Sequence, residues 1–294
     1  MAADAATPSL AGVAATALWT AYCRAEEAKR PDALVVDRLA GRLCGEDGLR
    51  IGRALEERGR AHDAIVVRTA MIDERIVAAS ERGIRTILSL GCGLCARPQR
   101  LALPPDTRFV EVDLPDAIAW KERQLAGAPA LAGPSIARLS ADLSRVDQLA
   151  PTLERVVGVP LLVVLEGVVQ YLEPPHVRAL FSRLAARRAA TTVVCDIGGG
   201  SWDRWFSQRI RRAAASTGAA YRTRIADPPS FFAPLGFEVT SSVSLVDWDA
   251  RQSVPRWRTP WTARLVPGFR RAARIIELVG TAGPPGRRSS TERG

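Results

Sequence analysis

The chain of 294 residues predicts an α/β protein built on a doubly wound, mostly parallel sheet. Three observations carry that expectation. Short apolar runs of strand length alternate with helical segments from residue 85 onward, a glycine pair stands where the first run stops, and an acid ends the second. A 47% apolar content with 6% aromatics is enough for a core and excludes disordered and fibrous classes, and the length allows one large domain or two small ones.

The elements follow in order. The first eighty residues read as helical: Ala14 to Lys29 carries Leu18, Tyr22 and Ala25 at helical spacing, and Asp63 to Ser80 repeats Ile65, Val66, Ala70, Ile72 and Ile76 before Gly83. Runs expected as buried parallel strands are Arg85 to Gly91, Arg108 to Asp113, Ser135 to Leu139, Pro160 to Glu166 and Thr191 to Asp196. Between them, Pro115 to Leu125, Ser144 to Val157 and Pro174 to Ala190 read as crossover helices. A helix from Trp202 to Ala215 is expected next, then a helix end, a glycine turn at Gly236 and a late strand to about Leu245. Trp248 to Trp261 reads as irregular, Pro267 to Val279 as a short final helix, and Thr281 to Gly294 as a frayed tail.

The charge of +10 is local. Lys29 and Lys121 are the only lysines among 41 cations, and Arg251 to Gly294 holds ten arginines against two glutamates. A basic tail can touch phosphate, but a nucleic-acid binder is the weakest of the readings weighed. No run of eighteen apolar residues and no basic, apolar leader occur, so no membrane partner and a cytoplasmic location are expected. Five cysteines, an odd number, argue for reduced thiols. Cys92 and Cys95 form a lone C-x-x-C; a zinc site would need two further ligands at similar spacing, and His62 and His176 stand alone, so no metal is expected. A redox pair is a second reading of the same motif.

The sharpest local feature is Leu90-Gly-Cys-Gly-Leu-Cys-Ala96 at the end of the first strand. Glycines there let the backbone approach a ligand, although a plain tight turn would use them too. Twenty residues beyond Gly93, Asp113 ends the second strand, where a carboxylate can accept both hydroxyls of a ribose, as in nicotinamide and S-adenosylmethionine sites alike. Asp142-Leu143 after the third strand suits an adenine edge, and Glu166 ends the fourth strand near the cofactor's reactive end. No hydride-chemistry pair accompanies them, which turns the choice from NAD toward S-adenosyl-L-methionine.

Leu18-Trp-Thr-Ala-Tyr-Cys-Arg-Ala-Glu-Glu27 with Arg30-Pro-Asp-Ala-Leu34, Arg68-Thr69, Leu90 to Leu94 through Arg97, Glu111-Val-Asp-Leu-Pro115 with Lys121, Asp142-Leu143 and Glu166 to Leu172 occur in that order. This ordered set resembles the leucine carboxyl methyltransferase-like family of S-adenosylmethionine-dependent methyltransferases, which includes protein phosphatase methyltransferases and bacterial natural-product O-methyltransferases. The resemblance spans roughly Leu18 to Leu245. It implies a class I methyltransferase, Rossmann-like fold with an N-terminal helical cap, and S-adenosyl-L-methionine as cofactor. By the same resemblance Arg68 grips the cofactor carboxylate, Gly91 and Gly93 underlie its methionine part, Asp113 takes the ribose, Asp142 with Leu143 the adenine, and Glu166 lies near the methionine end. Tyr171 falls where the family lines the acceptor pocket, or equally in a core. Where the family loop reads Gly-x-Gly-x-Asp-Thr-Arg, Cys95 and Ala96 stand before Arg97, which puts the missing Asp's hydrogen bonds in question.

The expected function is methylation of a carboxylate or acidic hydroxyl of a small molecule in bacterial secondary metabolism. A carboxylate acceptor needs no base, whereas a phenol does, and the bases to hand are few: His176, Tyr171, Asp196 and Asp203. Tyr171 and His176 are the catalytic candidates. Tyr22, Arg24 and Trp202 are the substrate-side candidates, with Trp19, Trp205 and Arg30 beside them. Alternatives are an N-, S- or C-acceptor, a repurposed S-adenosylmethionine-binding enzyme, and an NAD-dependent oxidoreductase. Residues 1–80 are expected as cap or lid, 81–280 as the catalytic core with a helical insertion around 200–232, and 281–294 as a basic tail. Oligomeric state is left open.

Overall fold

Apolar runs flanked by helices become central strands because both faces are covered, and Thr86–Leu90, Arg108–Asp113, Leu161–Leu165 and Thr191–Gly198 follow that rule. Ser135–Ser140, expected as buried, is instead an edge strand with Ser135, Ile136 and Ser140 exposed, because it has a neighbour on one side only. In the computed structural model, the described residues are 10, 12–56, 62–128, 133–187, 189–198, 215, 218–257 and 273–281. Three helices precede the sheet: α1 (Val13–Glu27), α2 (Ala40–Glu56) and α3 (His62–Glu81). Then come β1 (Thr86–Leu90), α4 (Arg97–Arg100), β2 (Arg108–Asp113), α5 (Pro115–Leu125), β3 (Ser135–Ser140), α6 (Ala150–Glu154), β4 (Leu161–Leu165), α7 (Pro174–Ala185) and β5 (Thr191–Gly198). The chain closes with α8 (Pro228–Phe232), β6 (Phe237–Ser244), α9 (Leu245–Asp249) and β7 (Ala273–Gly280).

The sheet order is β3-β2-β1-β4-β5-β7-β6. The first five strands are parallel, whereas β7 runs antiparallel to both β5 and β6. Strand alternation splits the core into two layers. Leu88, Val110, Val163 and Val193 pack with Phe181 and Leu184 of α7, while Ile87, Phe109, Leu162 and Val194 pack with Met71, Ile72 and Ile76 of α3. A third cluster joins Leu18, Trp19 and Tyr22 of α1 to Leu43, Ile65, Leu94 and Trp120, and so fastens α1 and α2 over the carboxyl end of the sheet.

Most of the expected elements are present within a residue or two. The expected final helix is overturned: Ala273 to Gly280 is a strand, seated between β5 and β6. Its Ile275, Ile276 and Leu278 are fully buried by those neighbours, which favour β-branched residues. Ser144 to Val157 is not one helix but a 3-10 turn, Val146–Leu149, followed by the short α6, since Pro151 has no N–H to carry a helix through from its start. Trp248, expected in an irregular stretch, ends up in α9, with its indole N–H donating to Glu74. The helix expected from Trp202 lies almost wholly outside the described residues.

Candidate functional site

Parallel strands stop where their apolar runs stop, so the polar residues that follow collect along one rim of the sheet. Here that rim opens into a cavity of about 270 Å³. Its floor comes from the turns after β1, β2, β3 and β4, and α1 and α3 roof it with Thr16, Thr20, Arg24, Ile65 and Arg68. Among the expected site residues, Arg68, Gly91, Gly93, Asp113, Asp142, Leu143, Glu166, Tyr171 and Arg24 all line it.

The turn after β1 is stitched down. Gly91 and Cys92 both donate their N–H to the Val112 carbonyl, at 2.8 and 3.1 Å. Gly91 has φ 67° and Gly93 φ 50°, a left-handed backbone that a side chain strains. A Cβ on Gly91 would also lie 2.4 Å from the Val168 side chain. Asp113 accepts the Gly93 N–H at 2.6 Å with one oxygen and the Leu114 N–H at 2.7 Å with the other. Burial pushes this carboxyl up from its ordinary value, against the pull of those two bonds. Beneath it, Lys121 donates to the Cys95 carbonyl at 2.6 Å and pairs with Glu111, whose second oxygen meets Arg138 at 2.9 Å. Asp142 accepts both the N–H and the hydroxyl of Ser144, at 2.9 and 2.7 Å.

The opposite end is an ionic cluster. Arg68 donates Nε to Glu166 at 3.1 Å and Nη1 to Asp196 at 3.2 Å. Glu166 also accepts the Thr69 hydroxyl at 2.8 Å and pairs with Arg97, which in turn meets Asp73 at 2.7 Å. Burial by itself would raise the Glu166 carboxyl, but Arg97 and then Arg68 hold it well below the usual carboxylate range. Asp196 accepts the Gly167 N–H at 2.6 Å, and burial lifts its carboxyl despite the adjacent Arg68.

Tyr171 sits in the 3-10 turn Val169–Tyr171 and meets Tyr221 edge to face, ring centroids 5.1 Å apart. The two hydroxyls hydrogen-bond each other, and Tyr171 reaches Thr16 as well. Burial raises both phenols, so at neutral pH they are hydrogen-bonding hydroxyls and not bases. Tyr221 also borders a side chamber of about 70 Å³, together with Gln170, Asp196, Arg224 and Arg274. The Gln170 side-chain oxygen is buried there with no hydrogen-bond partner among the described residues.

Other expected residues are placed differently. Tyr22 is buried in the α1–α2 cluster, away from the cavity lining. Thr16, Thr20 and Arg24 recur every four residues on the cavity face of α1, and a residue two positions from Thr20 points to the far side. His176 is on α7 and does not line the cavity; the buried face of that helix is carried by Val177, Leu180, Phe181 and Leu184. Arg24 lines the cavity but is tied to Asp37 at 3.1 Å and to the Leu94 carbonyl at 2.8 Å, so it clamps α1 onto the glycine turn. Trp202, Trp205 and Asp203 lie outside the described residues. Tyr221 and the pairing of Arg97 with Glu166 were not foreseen. Tyr221 had only the scarcity of tyrosine, three in the chain, to mark it. Among the described residues no helix is long and apolar enough to cross a membrane, and no group of three or more His, Cys, Asp or Glu is arranged to hold a metal.

Comparison with known proteins gives the geometry a context. The family model described as leucine carboxyl methyltransferase matches residues 17–185. An inferred S-adenosyl-L-methionine-dependent methyltransferase of Mycobacterium avium is 34% identical over 230 residues, 71% of this chain and 74% of the relative. Another, of Parafrankia sp., is 36% identical over 187 residues, and the match spans 58% of each chain. In fold, the chain is similar to the crystal structure of an inferred methyltransferase from Thermobifida fusca, at TM-score 0.62 and 17% identity, covering 92% of this chain and 96% of that one. A DUF574 family protein from Streptomyces avermitilis is alike to the same degree, at TM-score 0.62 and 18% identity over 90% and 96% of the two chains.

Proposed function

The chain belongs to the leucine carboxyl methyltransferase family, and from that membership we propose that it transfers the methyl group of S-adenosyl-L-methionine to an oxygen of a small organic acid or acidic hydroxyl. The observation that carries the reading is the row of acids Asp113, Asp142 and Glu166, at or just beyond the ends of β2, β3 and β4 in turn, that meets Arg68 around one cavity. When bound, S-adenosyl-L-methionine supplies a methyl group on a positively charged sulfur, open to in-line displacement.

The residues present fit that cofactor. Each Asp113 oxygen accepts one N–H and keeps lone-pair capacity for hydroxyl donors such as those of a ribose. Asp142 and Leu143 border the same cavity on the adenine side. Arg68 engages Glu166 and Asp196 through Nε and Nη1, which leaves its Nη2 for a carboxylate. The glycine turn brings backbone close to the ligand, and the helical cap, α1 above all, shuts out water.

The acceptor belongs in the side chamber that shares Arg68 and Tyr221 with the main cavity. Arg68, Arg224 and Arg274 give that chamber a cationic wall suited to an acid, and the Gln170 side-chain oxygen can accept a hydrogen bond from an acceptor's hydroxyl. A carboxylate arrives ionised and needs no base; for an acidic hydroxyl, Asp196, lifted by burial, is the proton acceptor at hand. Calorimetry with S-adenosyl-L-methionine, its demethylated product and NAD tests the reading. We expect the first two to bind and NAD not to; binding of NAD alone would overturn it.

A further inference from the structure

The C-x-x-C of the glycine turn has no part in the methyl-transfer reading, yet both of its residues line the cavity. The Cys95 N–H donates to the Cys92 carbonyl at 3.3 Å, which makes the two cysteines the first and last residues of a β-turn. The ends of such a turn lie within about 7 Å of each other, and a disulfide spans Cα separations of about 4.4–6.8 Å. The other three cysteines differ: Cys23, Cys44 and Cys195 are 0% exposed, whereas Cys92 and Cys95 are 6% and 7% exposed at the cavity wall. All five are free thiols in the structure.

Three cations stand around the pair, each held by a carboxylate: Arg97 and Arg100 by Asp73, and Lys121 by Glu111. Arg100 Nη2 stands 4.0 Å from the Cys95 sulfur, Lys121 Nζ is 2.6 Å from the Cys95 carbonyl, and Arg97 follows two residues later. The Arg100 guanidinium is placed to stabilise charge on the Cys95 sulfur during attack on a disulfide. Cys95, whose sulfur faces the Arg100 guanidinium, is the entry point and Cys92 the resolving partner.

We propose that Cys92 and Cys95 form a thiol–disulfide switch on the cofactor turn, with a low-molecular-weight aliphatic disulfide as its reactant. The Cys95 thiolate attacks one sulfur of the small disulfide; that S–S bond breaks, a mixed disulfide forms, and one thiol leaves. Cys92 then attacks the Cys95 sulfur and expels the second thiol. The two protons of the protein dithiol end on the two released thiols, and the small disulfide gains the two electrons that the protein loses. Closure draws together the ends of a turn whose Gly93 N–H holds Asp113 and whose Cys95 carbonyl holds Lys121. The oxidised turn therefore holds Asp113 less well, and the effect on binding rests on the S-adenosyl-L-methionine reading.

The test is exposure of the full chain to 2-hydroxyethyl disulfide, followed by peptide mass mapping and calorimetry with the demethylated cofactor. We expect the peptide from Thr86 to Arg100 to lose two hydrogens, and affinity to fall by about tenfold or more and return with dithiothreitol. The affinity of Cys95→Ala, whatever its starting value, should not respond to the reagent. Absence of that two-hydrogen loss, its appearance on another cysteine, or a mapped disulfide with unchanged affinity would each overturn the proposal. Should the reduced protein fail to bind the demethylated cofactor at all, the methyltransferase reading falls separately, and the mass map still decides whether the pair closes.

Discussion

At the cavity end beneath β2 and β3, Asp113 and Asp142 accept hydrogen bonds from backbone N–H groups and a serine hydroxyl, whereas at the end beneath β4 and β5, Glu166 and Asp196 lie against the guanidinium groups of Arg68 and Arg97. Dipolar donors leave the formal charge of a carboxylate in place, so the first end can still attract hydroxyl donors. Guanidinium groups cancel the charge, so the second end is a near-neutral cluster that can trade one anionic partner for another. The difference suits a ligand with hydroxyls at one end and a zwitterion at the other. Removing a donor should therefore act differently at the two ends.

The largest effect is expected from Arg97→Ala. It leaves Glu166 with one guanidinium and takes a partner from Asp73, and breaking such a buried pair costs about 3–5 kcal/mol. Thermal unfolding should show a large fall in Tm. A variant as stable as the parent would mean that the ionic cluster is not what holds this end together.

Gly91→Ala comes next. A left-handed backbone and the Val168 contact together should cost about 1–3 kcal/mol of stability and loosen the glycine turn. Urea unfolding measures the first effect, and calorimetry with the demethylated cofactor the second.

Asp113→Ala should weaken that cofactor by about 1–3 kcal/mol while changing stability less than Arg97→Ala does. Equal affinity for the two proteins would show that the hydroxyl-binding end has been misplaced.

Acid titration sharpens the contrast because the two carboxyls shift in opposite directions. Glu166 is held down in the folded protein, so its pairs add stability at pH values above its unfolded pKa, and that stability is lost as pH falls through the folded value. Asp113 is raised, so the folded state is favoured at acid pH, and the benefit is lost as pH rises through its folded value. In Tm measured from the acid range to neutrality, Glu166→Gln should lose ground to the parent as pH rises, and Asp113→Asn should gain it.

The smallest effect is expected from Tyr221→Phe, which removes one hydroxyl from the Tyr171 pair: about 0.5–1.5 kcal/mol in stability, read as a small fall in Tm.

The sequence by itself determined the strand order through β6 and the rim positions of Asp113, Asp142 and Glu166. Parallel strands carry apolar runs, and the acids at or just after the ends of those runs mark the rim of the sheet. It also singled out Gly91 and Gly93, because only glycine enters a left-handed turn without strain. Only the tertiary structure decided the rest. Ala273 to Gly280 became a strand because β5 and β6 offered it two edges, a context that no local pattern contains. Arg68 and Glu166 are 98 positions apart and Tyr171 and Tyr221 fifty, so those pairings depend on where helices and loops return to the rim. Tyr22 and His176 were carried away from the cavity by helical phase, since a helix shows each neighbour a single face and packing selects which one.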